Sequence, residues 1–375
     1  MDKKILYIVN NSNYFLSHRL SVALSAKRNG YEVHLVSPED QAVKEIKSKG
    51  IIHHNIQLTR SGVGVLSEIR VIFSIYKKIK EIEPDLVHLV TIKPVIYGGI
   101  ASTILGVKGV IAAIPGLGYS YISKGFKYSI FRFFLSFLYR LAFLKRSLRV
   151  IFQNEEDKKK ISKSTGLTKD KIVLIKGSGV DLKKFSFSII PKGIPVVSMA
   201  SRLQRDKGVI EFFEAAKIIK DKKIPVEFRF IGNLDLDYAF PVPTELLNAW
   251  QKSNIIKFLG FREDINNLFK ESSIIVLPSY REGFPKVLQE AAACGRPVIT
   301  SNVAGCRDAI KDNVTGLLVK PRDSADLAKK IEHLLSDKDL LEKMSWESRK
   351  LAEKEFSLDG VVEKHLKIYK ELFES

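Results

Sequence analysis

The 375-residue chain has little of what staples small or metal-bound folds: two cysteines, Cys294 and Cys306, and seven histidines. Two lone thiols with no partnering histidines give neither a disulfide framework nor a zinc motif. A reducing, cytoplasmic setting is the expectation. No uninterrupted apolar run reaches the length of a membrane span. The basic start, "MDKKILYIVNNSN", has too short an apolar stretch for a secretory leader and reads as a first strand. No repeat at a solenoid period and no low-complexity tract occurs. The most telling absence is local: residues 124–149 hold seven basic side chains and no acidic one.

Charge is uneven along the whole chain. Residues 1–185 carry 31 Lys and Arg against 14 Asp and Glu, a surplus of 17 out of a whole-chain surplus of 19. Such asymmetry points one half at a polyanion, either nucleic acid or an anionic membrane. The acid-free segment "KGFKYSIFRFFLSFLYRLAFLKRSLR" favours the membrane. At about 100° per residue, Ser129, Arg132, Ser136 and Arg140 share one narrow stripe, and nearly everything else up to Leu144 is apolar. Two arginines argue against a spanning helix. A helix lying in the bilayer interface fits better, with Phe133, Phe134 and Phe137 inserted and Arg132, Arg140, Lys145, Arg146 and Arg149 reaching lipid phosphates. The plainer alternative is a core helix with an exposed edge. Nucleic-acid binding would need basic residues interleaved with stacking platforms, or a known motif; the basic segment here is amphipathic and the second half of the chain almost neutral, so no nucleic acid is expected as a partner.

Strand-like runs alternate with helical patterns almost throughout. "KILYIV", "YEVHLVS", "IIHHNIQL", "PDLVHLV", "GVIAAI" and "LRVIFQ" come first, with a helix near 17–29 after the first of them. The rhythm restarts after residue 186 with "GIPVVSMAS", "VEFRFIG", "IIKFLG", "SIIVLP" and "RPVITS". Alternation of this kind implies parallel sheets, hence two doubly wound α/β domains. The seam is expected at 176–187, "KGSGVDLKKFSF", and the chain from about 323 onward reads as two or three helices.

Two stretches of the second half carry candidate chemistry. In "PSYREGFPKVLQEAAACGRPVITS", Glu282 falls at a strand's carboxyl edge and Glu290 about five residues into the next helix, which Pro285 suits as a first residue. Both would face the crevice where α/β folds bind ligands, or they are a solvated loop carboxylate and a lysine-paired helix carboxylate. In "SRLQRDKG", Arg202 and Lys207 lie just past another strand, with Gly208 opening a helix. A guanidinium fork and a compact ammonium together neutralise a diphosphate, and a helix N-terminus adds N–H donors.

At this point the chain resembles a family. "SRLQRDKG", "FLGFREDI", "LPSYREGFPKVLQEAAACGRPVI" and "GLLVKPRD" follow the order seen in retaining GT-B glycosyltransferases of family four. "GSGVDLKKF" resembles that family's domain junction. "TIKPVIYGGIAS" and "IPGLGYSY" are similar to the bacterial subgroup that builds capsule, O-antigen and glycoprotein glycans on undecaprenyl diphosphate.

The resemblance implies a GT-B fold, two Rossmann-like domains facing a central cleft. It assigns 1–180 to the acceptor and membrane, 186–355 to the nucleotide-sugar donor, and 356–375 to a helix packing back on the first domain. Arg202 and Lys207 would hold the donor diphosphate, Glu282 the transferred sugar and Glu290 the ribose hydroxyls. Gly283, Phe284, Pro285 and Lys286 would line the sugar and phosphates, and Phe261 and Arg262 the nucleobase. From its place near the first helix, His18 is either a lone surface histidine or, with Arg19 as its partner, a contact for the acceptor sugar or its diphosphate. Gly116 and Gly118 would let backbone approach the acceptor closely, whereas His88 is expected to be packed near a strand end. "DLD" at 235–237 invites a divalent cation, but in this fold Arg and Lys meet the diphosphate. No metal and no cofactor is therefore expected beyond the nucleotide-sugar substrate.

Two departures from the family stand out. Pro285 replaces a glycine common in relatives and removes an N–H donor. The loop "IPGLG" has Pro115 and Gly116 where many members carry a histidine. The implied activity is retaining transfer of a sugar, preferably N-acetylhexosamine from UDP, to an undecaprenyl-diphosphate-linked saccharide on the inner face of the plasma membrane. The alternatives are UDP-hexose or GDP-mannose as donor, or a soluble GT-B sugar-nucleotide epimerase.

Overall fold

A computed structural model describes residues 3–58, 64–118, 125–233 and 241–374. They form two units, Met1–Ser178 with Asp359–Ser375, and Gly179–Leu358. The expected seam at 176–187 contains the first division. The second division falls at 358/359, where the sequence suggested 355/356.

In the first unit seven parallel strands form one sheet: β1 (Lys4–Ile8), β2 (Glu32–Ser37), β3 (Ile52–Asn55), β4 (Leu86–Val90), β5 (Gly109–Ile114), β6 (Leu148–Phe152) and β7 (Ile172–Leu174). Their order is β3-β2-β1-β4-β5-β6-β7. The central strands are apolar on both faces, as strands covered by helices on both sides must be. On one face lie α1 (Ser12–His18), α2 (Leu20–Arg28) and α3 (Gln41–Ser48). On the other lie α4 (Val65–Ile82), α5 (Ile92–Ile104), α6 (Phe126–Ala142) and α7 (Glu155–Thr165).

The second unit repeats the plan with six strands: β8 (Val196–Ala200), β9 (Glu227–Ile231), β10 (Lys257–Phe258), β11 (Ile274–Leu277), β12 (Val298–Ser301) and β13 (Gly316–Val319). Their order is β10-β9-β8-β11-β12-β13. Around them pack α8 (Val209–Asp221), α9 (Thr244–Ser253), α10 (Ile265–Glu271), α11 (Lys286–Ala293), α12 (Ser324–Ser336) and α13 (Lys338–Leu351). The last helix, α14 (Leu358–Glu374), belongs from Asp359 onward to the first unit. There Tyr369 packs with Val361, Ile368 and Leu372 against the β1 and β4 face, and its hydroxyl bonds to that of Tyr7 and to Nδ1 of His88.

Three elements differ from expectation. The helix near 17–29 is two helices, broken at Arg19. Strands β7 and β13 had not been marked as strands. They are the outermost strands of their sheets and only three and four residues long, so neither shows a long apolar run.

Candidate active site

In a doubly wound sheet the ligand crevice opens where the strand order reverses. In the second unit that point lies between β8 and β11, which pair directly. Beyond β8 the chain runs through Arg202 to a 3₁₀ turn at Arg205–Lys207 and then into α8. Beyond β11 it runs from Pro278 to Pro285, which caps α11 one residue earlier than a first-turn proline would.

Gly208 joins the two loops by close approach. Its φ is +76°, and a Cβ there would lie 2.2 Å from the Pro278 carbonyl oxygen. Only glycine tolerates both the left-handed backbone and the contact. The Tyr280 amide then donates to the Asp206 carbonyl at 2.8 Å, and the Tyr280 hydroxyl donates to Glu211 Oε1 at 2.7 Å. The Arg322 guanidinium stands 4.5 Å over the Tyr280 ring, and burial together with the Glu211 carboxylate holds the phenol's pKa well above its ordinary value.

This framework brings Lys207 and Glu282 together. Lys207 Nζ lies 2.6 Å from Glu282 Oε1, both side chains being 15% exposed. Ser279 Oγ donates to the same carboxylate oxygen at 2.8 Å. Burial works against the lysine's charge, but the carboxylates of Glu282 and Asp206 outweigh it, and the pKa of Lys207 rises above its ordinary value. The ammonium is therefore charged at every physiological pH. Arg202 is exposed earlier in the same loop, close enough for its charge to act on Lys207. Behind the loop, Gly305 at φ +77° backs the carbonyls of Glu282 and Gly283, where a Cβ would sit 2.6 and 2.4 Å away.

Glu290, one turn into α11, is 13% exposed with Lys286 Nζ 3.7 Å away. Burial raises its pKa, and Lys286 and Lys184 partly offset that. Phe284 and Pro285 are buried beneath the loop, whereas Gly283 and Lys286 are half-exposed. Phe261 is exposed, with its amide donating to Asn233 Oδ1 at 2.8 Å. Arg262 forks onto Asp264 at 2.8 and 2.7 Å. Its guanidinium is thus committed to a neighbour, and any ligand contact there falls to the backbone and to Phe261. Asp235 and Asp237 lie outside the described residues.

The first unit has its switch point between β1 and β4. Gly116 and Gly118 follow β5; Gly118 has φ +66°, a backbone angle that favours glycine, with nothing among the described residues within 4 Å of a Cβ. His18 is half-buried, its ring stacked on Tyr14 at 4.2 Å and its Nδ1 2.6 Å from Ser17 Oγ. Arg19 corrects an expectation. It is 1% exposed, donates from Nη1 to the His18 carbonyl at 3.0 Å, and acts electrostatically on Tyr7, His88 and His365 in the interior. A side chain so enclosed does not pair with His18 at the surface. His88 is fully buried at the centre of β4, and burial drives its pKa well below the ordinary value.

Several residues had carried no role in the sequence reading: Ser279, Tyr280 and Glu211, which hold the two loops, and Thr91. Thr91 has φ +75° and ψ +169° at the end of β4, a region nearly exclusive to glycine. Its Oγ1 is buried without a hydrogen-bond partner among the described residues. The motif "TIKP" marked the place but not the backbone.

The segment 124–149 resolves into α6 and a strand. Helix α6 buries Leu135, Tyr139 and Ala142 and leaves Phe133, Phe134 and Phe137 exposed, Phe133 to 77%. Arg132 bonds to Ser129 and Arg140 to the Ser164 carbonyl, each at 3.0 Å. Lys145 is half-buried, which lowers its pKa, and Arg146 is exposed. Arg149 is a second correction. It lies within β6, opposite Ile111, and Nη2 is 3.7 Å from Glu371 of α14. That is the sheet face away from α6, so Arg149 does not share the α6 surface. No helix among the described residues is long and apolar enough to cross a membrane.

Residues 180–351 match the family described as Glycosyl transferases group 1, and residues 4–154 match Glycosyl transferase 4-like. Over 349 residues the chain is 32% identical to the N,N'-diacetylbacillosaminyl-diphospho-undecaprenol alpha-1,3-N-acetylgalactosaminyltransferase of Campylobacter jejuni, covering 87% of this chain and 90% of the relative. It is 26% identical to the UDP-Gal:alpha-D-GlcNAc-diphosphoundecaprenol alpha-1,3-galactosyltransferase of Escherichia coli, covering 82% and 81%. Among solved structures, a glycosyltransferase from Rickettsia africae superposes with a TM-score of 0.79 at 23% identity, covering 100% of this chain and 99% of the other.

Proposed function

We propose that this chain, which belongs to the group 1 and family-four-like glycosyltransferases of GT-B fold, transfers an N-acetylhexosamine from its UDP-activated form to an undecaprenyl-diphosphate-linked saccharide, with retention of configuration. Glycosyltransfer is the family's activity. The donor, the acceptor and the stereochemistry are our reading, supported by the names of the two relatives. The galactosyl donor named for the Escherichia coli relative keeps UDP-hexose as the second reading.

The observation that carries the mechanism is the Lys207–Glu282 pair at 2.6 Å between the ends of β8 and β11. A buried ammonium held charged beside a carboxylate suits a site that must take a diphosphate and a sugar hydroxyl side by side. Lys207 and Arg202 stabilise the negative charge that grows on the leaving diphosphate, and such preorganised charge is worth a few kcal/mol in a transition state. Glu282, oriented by Ser279, accepts from a hydroxyl of the sugar, and Glu290 accepts from the ribose. With no histidine in the "IPGLG" loop, this scheme gives the proton to the leaving phosphate. The bond between the anomeric carbon and the phosphate oxygen breaks, the acceptor oxygen bonds to that carbon from the same face, and the acceptor's proton passes to the departing phosphate. No divalent metal takes part in this scheme, so activity survives EDTA.

On the same reading, α6 holds the enzyme on an anionic membrane at the cytoplasmic face, with Phe133, Phe134 and Phe137 in the interface and Arg132, Arg140, Lys145 and Arg146 at the headgroups. The decisive experiment incubates a panel of nucleotide sugars with a polyprenyl-diphosphate N-acetylhexosamine. Mass spectrometry identifies the sugar added and NMR reads its anomeric configuration. Inverted product, or transfer from no UDP-sugar, overturns the proposal.

A further inference from the structure

We infer that α4 is a second membrane-docking element of the first unit, and that the groove between α4 and the edge strand β3 receives the headgroup of an anionic phospholipid. The inference rests on the reading of α6 as membrane-facing.

Helix α4 turns Val71, Ile75, Ile79 and Ile82 inward. Its orientation is fixed from α5, where Lys93 Nζ and Tyr97 Oη donate to Glu68 at 2.7 and 2.6 Å. What then faces outward is a stripe at helical spacing: Leu66, Arg70, Phe73 and Lys77, with Ile69 beside it. Leu66 is 74% exposed and Phe73 69%. An isolated exposed leucine needs no explanation, but apolar and basic residues alternating on one face over about 16 Å of helix are the pattern of an interfacial element.

Beside this stripe is a groove of about 680 Å³, which Asn55 and Gln57 line from the β3 side and Arg70, Phe73, Ser74 and Lys77 from α4. Lys78 and Glu81 at its far end neutralise each other at 3.0 Å. The two remaining cations, Arg70 and Lys77, make no ion pair or hydrogen bond among the described residues. Lys77 acts electrostatically on Glu81 as well, so the groove as a whole keeps a net charge of about two positives, Arg70, Lys77 and Lys78 against Glu81, with neutral hydrogen-bonding side chains and an aromatic edge. That matches a phosphodiester headgroup whose acyl chains lie over Leu66, Ile69 and Phe73.

Topology places this surface with α6. Both helices follow strands of one parallel sheet, so their N-terminal halves lie at its carboxyl edge, and α5 packs between them. Of the exposed aromatic residues, Phe73 of α4 and Phe133 and Phe134 of α6 lie within or at the end of that N-terminal half, and Phe137 is about one turn beyond it. Two such helices on one layer define a plane, which a single helix does not.

The test uses the full-length protein and sedimentation with vesicles of phosphatidylcholine, with and without 25% phosphatidylglycerol. At about 1 kcal/mol for each basic residue near an anionic surface, Arg70→Gln with Lys77→Gln lowers partitioning onto the anionic vesicles by about tenfold or more. Leu66→Ser with Phe73→Ser releases the protein from both vesicle types. All four side chains are exposed, so thermal melting should match the wild type. If the α4 variants bind as the wild type does while Phe133→Ser/Phe134→Ser/Phe137→Ser is released, this inference fails and the α6 reading stands. If none is released, both fail. If phosphatidylcholine vesicles doped with 1% polyprenyl-diphosphate sugar bind the wild type as strongly as the anionic ones, and Arg70→Gln/Lys77→Gln abolishes that binding, the groove takes the acceptor's diphosphate and the phospholipid assignment is overturned.

Discussion

The two units share a sheet plan and divide the chemistry. Each reverses its strand order beside its first strand, β1 with β4 and β8 with β11. In the second unit, charged groups gather at that point: Asp206, Lys207 and Glu282 lie within two facing loops, with Glu211 of α8 and Arg322, beyond β13, both against Tyr280. In the first unit the charge lies elsewhere. Its surplus of basic residues is spread over helices that also expose phenylalanine, while its buried polar groups, Arg19, His88, His365, Tyr7 and Tyr369, form an internal network with no carboxylate acting on it. On the proposed reading, one unit concentrates opposite charges to handle a small anion, and the other spreads like charges to meet an extended one. Variants in the two units should accordingly fail in different ways.

The largest effect is expected at Lys207. Lys207→Ala removes a fixed positive charge from the leaving group and should lower kcat by about 100- to 1,000-fold. It also leaves Glu282 buried with Ser279 as its remaining partner, so some loss of stability is expected. Lys207→Ala combined with Glu282→Gln should recover much of that stability and none of the activity. Vesicle binding should not change in either variant. A folded Lys207→Ala enzyme with near-normal kcat would remove the pair from the mechanism.

Next come the two glutamates, which the scheme separates. A ribose contact exists in ground and transition states alike, so Glu290→Ala should raise KM for the donor and weaken nucleoside-diphosphate binding with kcat little changed. Glu282→Ala should lower kcat by about tenfold or more and leave nucleotide affinity nearly intact. Calorimetry with UDP decides, and the opposite ranking exchanges the two roles.

How far these roles were readable without coordinates depended on range. Arg202, Lys207, Glu282 and Glu290 each sit in a short motif at a strand end, and periodicity places strand ends well. The contact between Lys207 and Glu282 spans 75 positions, and no local pattern reveals a partner that far away. Arg19 misled for a related reason. A basic residue beside a histidine in a helical stretch looks exposed, and only the break between α1 and α2, with α14 arriving from the far end of the chain, encloses it. Arg149 failed by one strand's alternation, since side chains in β6 point to opposite faces. Strands β7 and β13 were missed because edge strands so short carry almost no apolar run.

A smaller effect should separate the units by pH. His365 is buried, and burial together with Arg19 holds its pKa down to about 3; His88 is lowered by burial and by His365 and Arg19. The unfolded chain takes up these protons near pH 6.5, and the folded unit does so only well below that. Stability is therefore complete above about pH 6.5 and falls as the pH drops from there toward 3. Each group contributes a slope of up to about 1.4 kcal/mol per pH unit. His365→Gln should flatten the acid limb of the stability curve by roughly one group's share, whatever it does to stability at pH 7.5. An unchanged slope between pH 4 and 6.5 would show that His365 does not remain neutral in the folded unit.

The smallest effect tests a contrast at the two switch points themselves. Around the Lys207–Glu282 pair the second unit places glycine at two left-handed positions, Gly208 and Gly305, although Arg322 over the Tyr280 ring also has φ +63°. At the end of β4 the first unit instead holds a β-branched threonine at φ +75°, anchored by its amide to the Ala113 carbonyl at 3.2 Å and by its carbonyl to the Val95 amide at 3.0 Å. Such a residue stores about 1–3 kcal/mol of backbone strain. Thr91→Gly releases it and removes a buried hydroxyl oxygen that lacks a partner among the described residues, against an entropic cost of about 0.5–1 kcal/mol for the added glycine. The net expectation is a gain near 1 kcal/mol, or about 2–4 °C in the melting temperature of a unit this size. If the threonine is kept because its side chain is held toward a substrate, the stabilised variant should also transfer more slowly, with KM for the acceptor rising and KM for the donor unchanged. A variant that melts below the wild type would mean that the methyl group's packing outweighs the strain. Threonine would then stand there for stability, and the two switch points would differ in packing, not in function.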